Sequence, residues 1–264
     1  MRIRKALTIA GSDSGAGAGI QADLKTFAAL GVYGTSALTA ITAQNTRGVT
    51  KITTLAPEIV TAQIEAIIAD IGAHALKTGM LANAAIIASV AQMIEKYRLR
   101  NLVVDPVMVA TSGDPLINKN AVAALRARLI PLAAVVTPNV SEAEQLTGMT
   151  LTSPEDFAQA ARQIVDMGAR SVIIKGGHRV GPALDLFYDG RRFRPLRAAR
   201  IRTKNTHGTG CTFSAAIAAY LAKGEKIDSA VVLAKKYITS AIAEAFPVGS
   251  GHGPVHHFHR LWKS

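Results

Sequence analysis

A single cysteine, Cys211, occurs in a chain of 264 residues. No intramolecular disulfide can form, so the fold rests on burial and hydrogen bonding, as suits a reducing compartment. Long apolar runs are lacking too. Stretches such as Ala84–Ala91 and Phe213–Ala222 fall well short of the roughly 18 or more apolar residues that cross a bilayer. Arg2, Arg4 and Lys5 precede an apolar segment, Ala6–Ala10, that is too short for a signal-peptide core. A cytoplasmic location with no membrane partner is the expectation. Aromatic residues make up only 5% of the chain, and acids are scarce beside bases. Thirty Lys and Arg against 18 Asp and Glu give a formal net charge of +12.

Much of that excess is local. Gly190–Lys204 carries Arg191, Arg192, Arg194, Arg197, Arg200, Arg202 and Lys204 with no acid. Such a segment could be a nucleic-acid footprint. No aromatic side chains alternate with these bases to stack nucleobases, so attraction of small anions is the reading adopted, with no nucleic-acid partner. What is abundant is apolar material, 49% against 18% charged residues. That balance belongs to a folded core and not to a disordered chain.

The apolar residues come in alternating patterns. Strand-like runs lie at Ala6–Ala10, Ser36–Thr42, Ala75–Thr78, Leu102–Val107, Ala134–Thr137 and Ser171–Lys175. Helix-period segments separate them at Ile20–Leu30, Pro57–Ile71, Asn83–Tyr97, Asn118–Leu129, Ser141–Leu146 and Pro154–Met167. Continuous apolar strands between amphipathic helices predict a parallel sheet covered on both faces. A hairpin is predicted over Ala183–Tyr188 and Arg192–Ile201, turning at Asp189-Gly190. Helices follow at Thr209–Ala222 and Ile227–Phe246. No linker or repeat interrupts the pattern, so residues 1–264 are read as one α/β domain. Ligands of such sheets bind beyond the carboxyl ends of the strands.

Four groups of residues lie at those ends. The first is the run Gly11–Gly19. It fails the dinucleotide fingerprint, because Ile20 stands at the sixth position counted from Gly15, and Lys77-Thr78 fails as a P-loop because Leu76 replaces its second glycine. The run is either a surface for close ligand approach or a tight strand-to-helix turn. The second is Asn205-Thr206-His207-Gly208-Thr209-Gly210-Cys211, where two glycines open a helix and leave N–H groups for an anion. Cys211 in that first turn is read as a thiolate favoured by the helix dipole, against the alternative of a structural cysteine.

The third group is polar residues at strand ends. Asp105 ends a buried strand, and Asn139 and Glu142 sit at a strand-to-helix junction. These groups suit Mg²⁺ held largely through water and phosphate, although Asn139 and Glu142 also fit a helix cap. Lys175, before Gly176-Gly177, offers a point charge to a phosphate. The fourth is Gln44, whose amide can pair with an amino group and ring nitrogen, and Asp23. Either is otherwise an ordinary loop or helix-start residue. His252, His256, His257 and His259 crowd the C-terminal region without accompanying acids. A packed tail is preferred there over a metal site.

Together these residues resemble the hydroxymethylpyrimidine/phosphomethylpyrimidine kinases of thiamine biosynthesis, in the ribokinase superfamily. The matching segments run from Ala6–Gly11 and Gly19–Thr26 through Gln44–Gly48, Lys77–Leu81, Asp105–Met108, Ser112–Leu116, Lys175–His178 and Asn205–Cys211 to Gly253–His259. Departures occur at Gly15-Ala16, where the family commonly has Ser-Gly, and at Thr111, where it often has Lys. The resemblance implies a ribokinase-like three-layer α/β/α sandwich with a mostly parallel central sheet, a small β lid and a homodimer. It implies ATP- and Mg²⁺-dependent phosphorylation of the hydroxymethyl group and then of the monophosphate. Gln44, Asp23, Met80, Val107 and the Gly11 backbone would form the pyrimidine pocket. Gly208, Gly210 and Cys211 would act on the transferring phosphoryl group with Lys175; Thr206, Thr209 and Asn139 would add nucleotide contacts, and Glu142 and Asp105 would hold the metal. A pyridoxal/pyridoxine kinase is the nearest alternative, and a basic nucleic-acid-binding protein on an inactive scaffold is the alternative of another class.

Overall fold

The computed structural model describes residues 3–108, 119–176 and 183–262. Thr111, Ser112–Leu116, Gly177 and His178, named above, lie outside the described residues. The strands are β1 (Lys5–Asp13), β2 (Tyr33–Asn45), β3 (Gly48–Thr54), β4 (Ala75–Thr78), β5 (Leu102–Val104), β6 (Val135–Val136), β7 (Val172–Ile174), β8 (Ala183–Tyr188) and β9 (Phe193–Ala198). The helices are α1 (Gly19–Ala29), α2 (Pro57–Asp70), α3 (Ala84–Lys96), α4 (Lys119–Ala124), α5 (Val140–Thr147), α6 (Pro154–Asp166), α7 (Thr209–Ala222) and α8 (Ile227–Ala243).

All strands join one sheet in the order β3-β2-β1-β4-β5-β6-β7-β8-β9. From β2 to β7 the neighbours run parallel, while β3 at one edge and β8 and β9 at the other are antiparallel. Strand residues alternate between two cores. Leu7, Ile9, Leu76, Val104 and Val136 pack with α2, α3, α5 and α6, whereas Ala6, Ala75, Val103 and Val135 pack with α1, α7 and α8. This is the expected α/β/α sandwich. Helix α7 reads as apolar on every side because it is buried on every side, between the sheet and its neighbours α1 and α8.

Order along the sheet reverses at β1, which has β2 on one side and β4 on the other. A crevice opens at such a switch point, beyond the strands' carboxyl ends. Local signals set the flanks. Asn139 caps α5 in a capping box with Glu142, and Ser153 does so for α6 with Asp156. Strand β2 runs on beyond β1 to pair with the exposed β3, the small β element expected as a lid. Several boundaries differ from the sequence reading, among them the end of β5 and the end of α4. Strand β5 stops at Val104, before Asp105-Pro106, since proline cannot donate to a ladder. The segment predicted as a helix to Leu129 leaves α-helical geometry after Ala124, widening over Leu125–Leu129.

Candidate active site

A cleft of about 660 Å³ opens at the switch point. Gly11, Gln44, Met80, Asp105, Val107, Asn139, Glu142, Lys175, Thr206, Gly208, Thr209, Gly210 and Cys211 all line it. Residues that the sequence reading took from strand ends far apart in the chain thus share one cleft. The exception is Asp23.

Asp23 is fully buried. Its carboxylate accepts from Thr8 Oγ1 at 2.6 Å and from Lys77 Nζ at 2.9 Å, and it is not among the residues lining the cleft. The expectation that it contacts substrate is corrected. Its position early in α1 turns it into the sheet and not outward, and its partner Lys77, from β4, lines the cleft instead. Burial works against the Lys77 charge, and the Asp23 carboxylate more than restores it, raising the lysine above its ordinary range.

The helix start of α7 is built by glycine. Gly208 has φ +77°, and a Cβ there would sit 1.8 Å from the Gly17 carbonyl oxygen. No other residue fits. As at any helix start, the first-turn N–H groups, here including Gly210 and Cys211, have no intrahelical acceptor and favour an anion. A Cβ on Gly210 would come 3.3 Å from Lys175 Nζ, so the lysine lies directly over this turn.

Lys175 pairs with Asp105, Nζ to Oδ1 at 3.1 Å. Thr137 donates to the same oxygen at 3.1 Å, and Ser214 Oγ lies 3.1 Å from Oδ2. Burial opposes the Asp105 charge, but Lys175 and Lys77 hold its carboxyl below the usual range. Lys175 is in turn raised, its desolvation outweighed by Asp105 and Glu142. Glu142 accepts the Asn139 N–H at 2.7 Å, and Asn139 accepts the Glu142 N–H. Burial pushes Glu142 up to about 7, with Lys175 pulling back and Asp105 adding repulsion. Asn139 and Glu142 are therefore both a helix cap and part of the cleft wall.

The surroundings of Cys211 work against its reading as a thiolate. Cys211 is half-buried in the cleft wall. Burial pushes its thiol up to about 11; Lys77 pulls down, while Asp23 and Asp105 push up. A helix start acts weakly against desolvation beside two buried carboxylates.

Among the described residues no group of three His, Cys, Asp or Glu could hold a metal ion. Asp105 and Glu142 alone fit a cation that brings water and phosphate as its other ligands. The C-terminal histidines pack instead: His256 against Phe246 and Trp262, His259 against Tyr237, and His257 within 3.0 Å of Thr212 Oγ1.

Several cleft residues escaped sequence reasoning. Lys77 was visible as a lysine inside an apolar strand. Asp13 and His207, 2.9 Å apart, stand next to residues already singled out. Lys235, ion-paired to Asp185 at 2.6 Å, and Ile201, Phe213, Ile238 and Ile242 form a further, partly apolar wall. Nothing in the spacing of α8 announces it.

The switch-point crevice, the glycine-opened helix and the lysine above it define a phosphotransferase of the ribokinase-like α/β class. Within that class, the chain belongs to the phosphomethylpyrimidine kinase family, whose sequence profile matches residues 13–256. It is 55% identical over 262 residues to a hydroxymethylpyrimidine/phosphomethylpyrimidine kinase of Rhizobium meliloti, covering 98% of each chain. It is 53% identical to the thiamine biosynthesis bifunctional protein ThiED of Geobacter sulfurreducens, covering 95% of this chain and about half, 51%, of that one. Its fold superposes on the ADP complex of Bacillus subtilis pyridoxal kinase with TM-score 0.92 and 44% identity, covering 98% of this chain and 100% of the other.

Proposed function

We propose that this chain phosphorylates 4-amino-5-hydroxymethyl-2-methylpyrimidine with ATP, and then phosphorylates the resulting monophosphate, within thiamine biosynthesis. The observation that carries this is the near-complete, 55% identical match to a kinase of that name. Geometry supports it. Gln44 and Met80 line one part of the cleft, the α7 start and Lys175 another, and Ile201, Phe213 and Ile238 offer apolar surface for a nucleobase.

Catalysis in this reading is positioning and electrostatics. The acceptor ring lies against Gln44, Met80, Val107 and the Gly11 backbone, with its hydroxyl aimed at the α7 start. First-turn N–H groups of Gly210 and Cys211 and the Lys175 ammonium receive the charge that spreads over the transferring phosphoryl oxygens. Thr206, Thr209 and Asn139 hold the nucleotide phosphates. Mg²⁺, held by Glu142 with Asp105 behind it, would neutralise phosphate charge. As a neutral thiol, Cys211 serves the acceptor by contact and hydrogen bonding and not as a standing base.

The homodimer and the cytoplasmic location remain part of this proposal. Among the described residues no helix is long and apolar enough to cross a membrane. The exposed arginines around β9, with Arg200 at the cleft edge, are assigned to anion attraction. A second reading, pyridoxal kinase, is favoured by the B. subtilis structure. ATP consumption measured side by side with hydroxymethylpyrimidine, its monophosphate and pyridoxal separates the two. Turnover confined to pyridoxal would overturn the main reading.

A further inference from the structure

Gln44 is the side chain placed here to read the aminopyrimidine, yet its amide is tied loosely. Its oxygen accepts from Thr42 Oγ1 at 3.1 Å, a hydroxyl that also reaches the Ser12 carbonyl at 2.8 Å, and its nitrogen lies 3.4 Å from His207 Nε2. Contacts this long or shared leave the amide open to a ligand and do little to aim it. Where the amide sits is therefore set by the main chain of β2. That main chain has little support from its neighbouring strands here. The ladder between β1 and β2 ends at the rung Asp13–Thr42, and the pairing with β3 shifts register between Ala43 and Gln44. Strand β3 is itself exposed almost throughout.

Ser14 takes the place of the next rung. Its Oγ accepts the Gln44 main-chain N–H at 2.8 Å and donates to the Gln44 carbonyl at 2.7 Å. A hydroxyl has one proton to give and lone pairs to accept with, so this one side chain satisfies both groups that β1 would have met had it run on. Ser14 is presented by a fixed turn. The Gly15 N–H donates to Asp13 Oδ1 at 2.8 Å, and the Ala16 N–H donates to Asp13 O at 2.9 Å. The turn lies close on β2, for a Cβ on Gly15 would come 3.3 Å from both Gln44 O and Asn45 Cα. Gln44 lines the cleft, and Ser14 is not among the residues lining it.

We infer that Ser14 is a positioning residue for acceptor recognition: by closing both main-chain groups of Gln44 with one hydroxyl, it holds the Gln44 amide where it meets the amino and ring-nitrogen edge of the pyrimidine. The proposal rests on the aminopyrimidine reading given above. Ser14 is exposed, so water can replace its hydroxyl on the Gln44 main chain in a folded protein. Loss of the hydroxyl therefore loosens the aim of Gln44 without unfolding the chain. The phosphate contacts assigned to Lys175 and the α7 start come from other elements and do not depend on it.

The test compares wild type with Ser14→Ala, Ser14→Thr, Gln44→Ala and the Ser14→Ala/Gln44→Ala double variant. Hydroxymethylpyrimidine affinity is measured by calorimetry, kcat and the KM values for hydroxymethylpyrimidine and ATP by steady-state kinetics, and folding by a thermal melt. Ser14→Ala is expected to weaken hydroxymethylpyrimidine by about fivefold in Kd and KM, the scale of one lost hydrogen bond, with kcat and the KM for ATP held within about twofold. Ser14→Thr keeps the hydroxyl and should stay near wild type. In the Gln44→Ala background the same Ser14→Ala change should cost less than about twofold. Equal loss with and without Gln44, or a loss of the same size in kcat or in the KM for ATP, overturns the proposal and makes Ser14 a prop of the glycine loop. A folded Ser14→Thr as weak as Ser14→Ala overturns it as well, and so does a Ser14→Ala chain that is unfolded at assay temperature. No hydroxymethylpyrimidine binding by wild type would instead overturn the functional reading, and is seen before any variant is compared.

Discussion

Gly208 rests directly on Gly17, so close that a Cβ on the former would fall 1.8 Å from the carbonyl oxygen of the latter. The start of α7 and the loop before α1 are therefore set against each other by backbone alone. Gly208 also holds φ +77°, which an L side chain rarely adopts. Gly208→Ala is expected to lower turnover by at least about a hundredfold, because small misplacements of reacting groups cost that much. Steady-state kinetics with ATP, beside a thermal melt to show folding, checks this. Turnover within tenfold of wild type would show that the two loops need no fixed spacing.

Lys77 and Asp23, with side chains at 0% exposure, form an ion pair that neither can leave singly. Removing one partner of a buried pair typically costs about 3–5 kcal/mol, while an apolar pair of similar volume can be tolerated. Asp23→Leu and Lys77→Met should each destabilise strongly in urea titration, and the double variant should be less destabilised than the sum. Additive losses would show that the two groups are not coupled. Lys77→Met alone should also weaken the acceptor, since Lys77 lines the cleft and Asp23 does not.

How much of this was legible in the sequence follows from what burial does to a pattern. Strands β1, β4, β5 and β7 read clearly because both faces are covered and most of their residues are apolar or small. Strand β3 did not, since Gly48–Thr54 is exposed almost throughout and shows neither alternation nor an apolar run. The cleft lining was readable because ligands gather at strand ends. The partner of Lys77 was not readable, as it lies 54 residues away in another element. Nor could the sequence give the state of Cys211: a helix start is visible in residue order, but the desolvation that opposes it is a property of the packed site.

That thiol makes a chemical prediction. A group with its pKa pushed up to about 11 has far less thiolate at neutral pH than a free cysteine of pKa about 8.5, by roughly two orders of magnitude. Alkylation of Cys211 by iodoacetamide at pH 7 should be slower than that of glutathione by about that factor and should climb until pH 10 or above. Mass spectrometry of the modified peptide against time gives the rate. A rate equal to that of a free thiol would restore the thiolate reading.

Asp156 carries the pH dependence of a helix cap. Its carboxyl is held down at about 2 by the Ser153 and Thr152 N–H groups and hydroxyls. A depressed folded-state pKa stabilises above the unfolded value near 4, and that contribution is lost as pH falls toward 2. Asp156→Ala should therefore melt below wild type at pH 7, and the difference should shrink as pH falls from about 4 to 2. A gap that is constant across this range would assign the effect to the loss of packing and not to the charged cap.

Ala16 sits where the backbone wants glycine. Its φ is +60°, in the turn whose N–H donates to Asp13 O at 2.9 Å and whose carbonyl accepts from Lys25 Nζ at 2.8 Å. An L residue in this region costs roughly 1–2 kcal/mol, and the greater freedom of glycine in the unfolded chain returns about 0.5–1 kcal/mol of that. The net expectation for Ala16→Gly is a gain of about 0.5–1 kcal/mol, read as a higher urea midpoint at unchanged slope. Turnover should change little, because Asp13 pins the loop through Gly15, Gly17 and Ala18 whichever residue stands at 16. A lower midpoint for Ala16→Gly would mean that the methyl group makes contacts worth more than the strain. A large change in KM for the pyrimidine would mean instead that the loop's rigidity, and not only its path, is part of recognition.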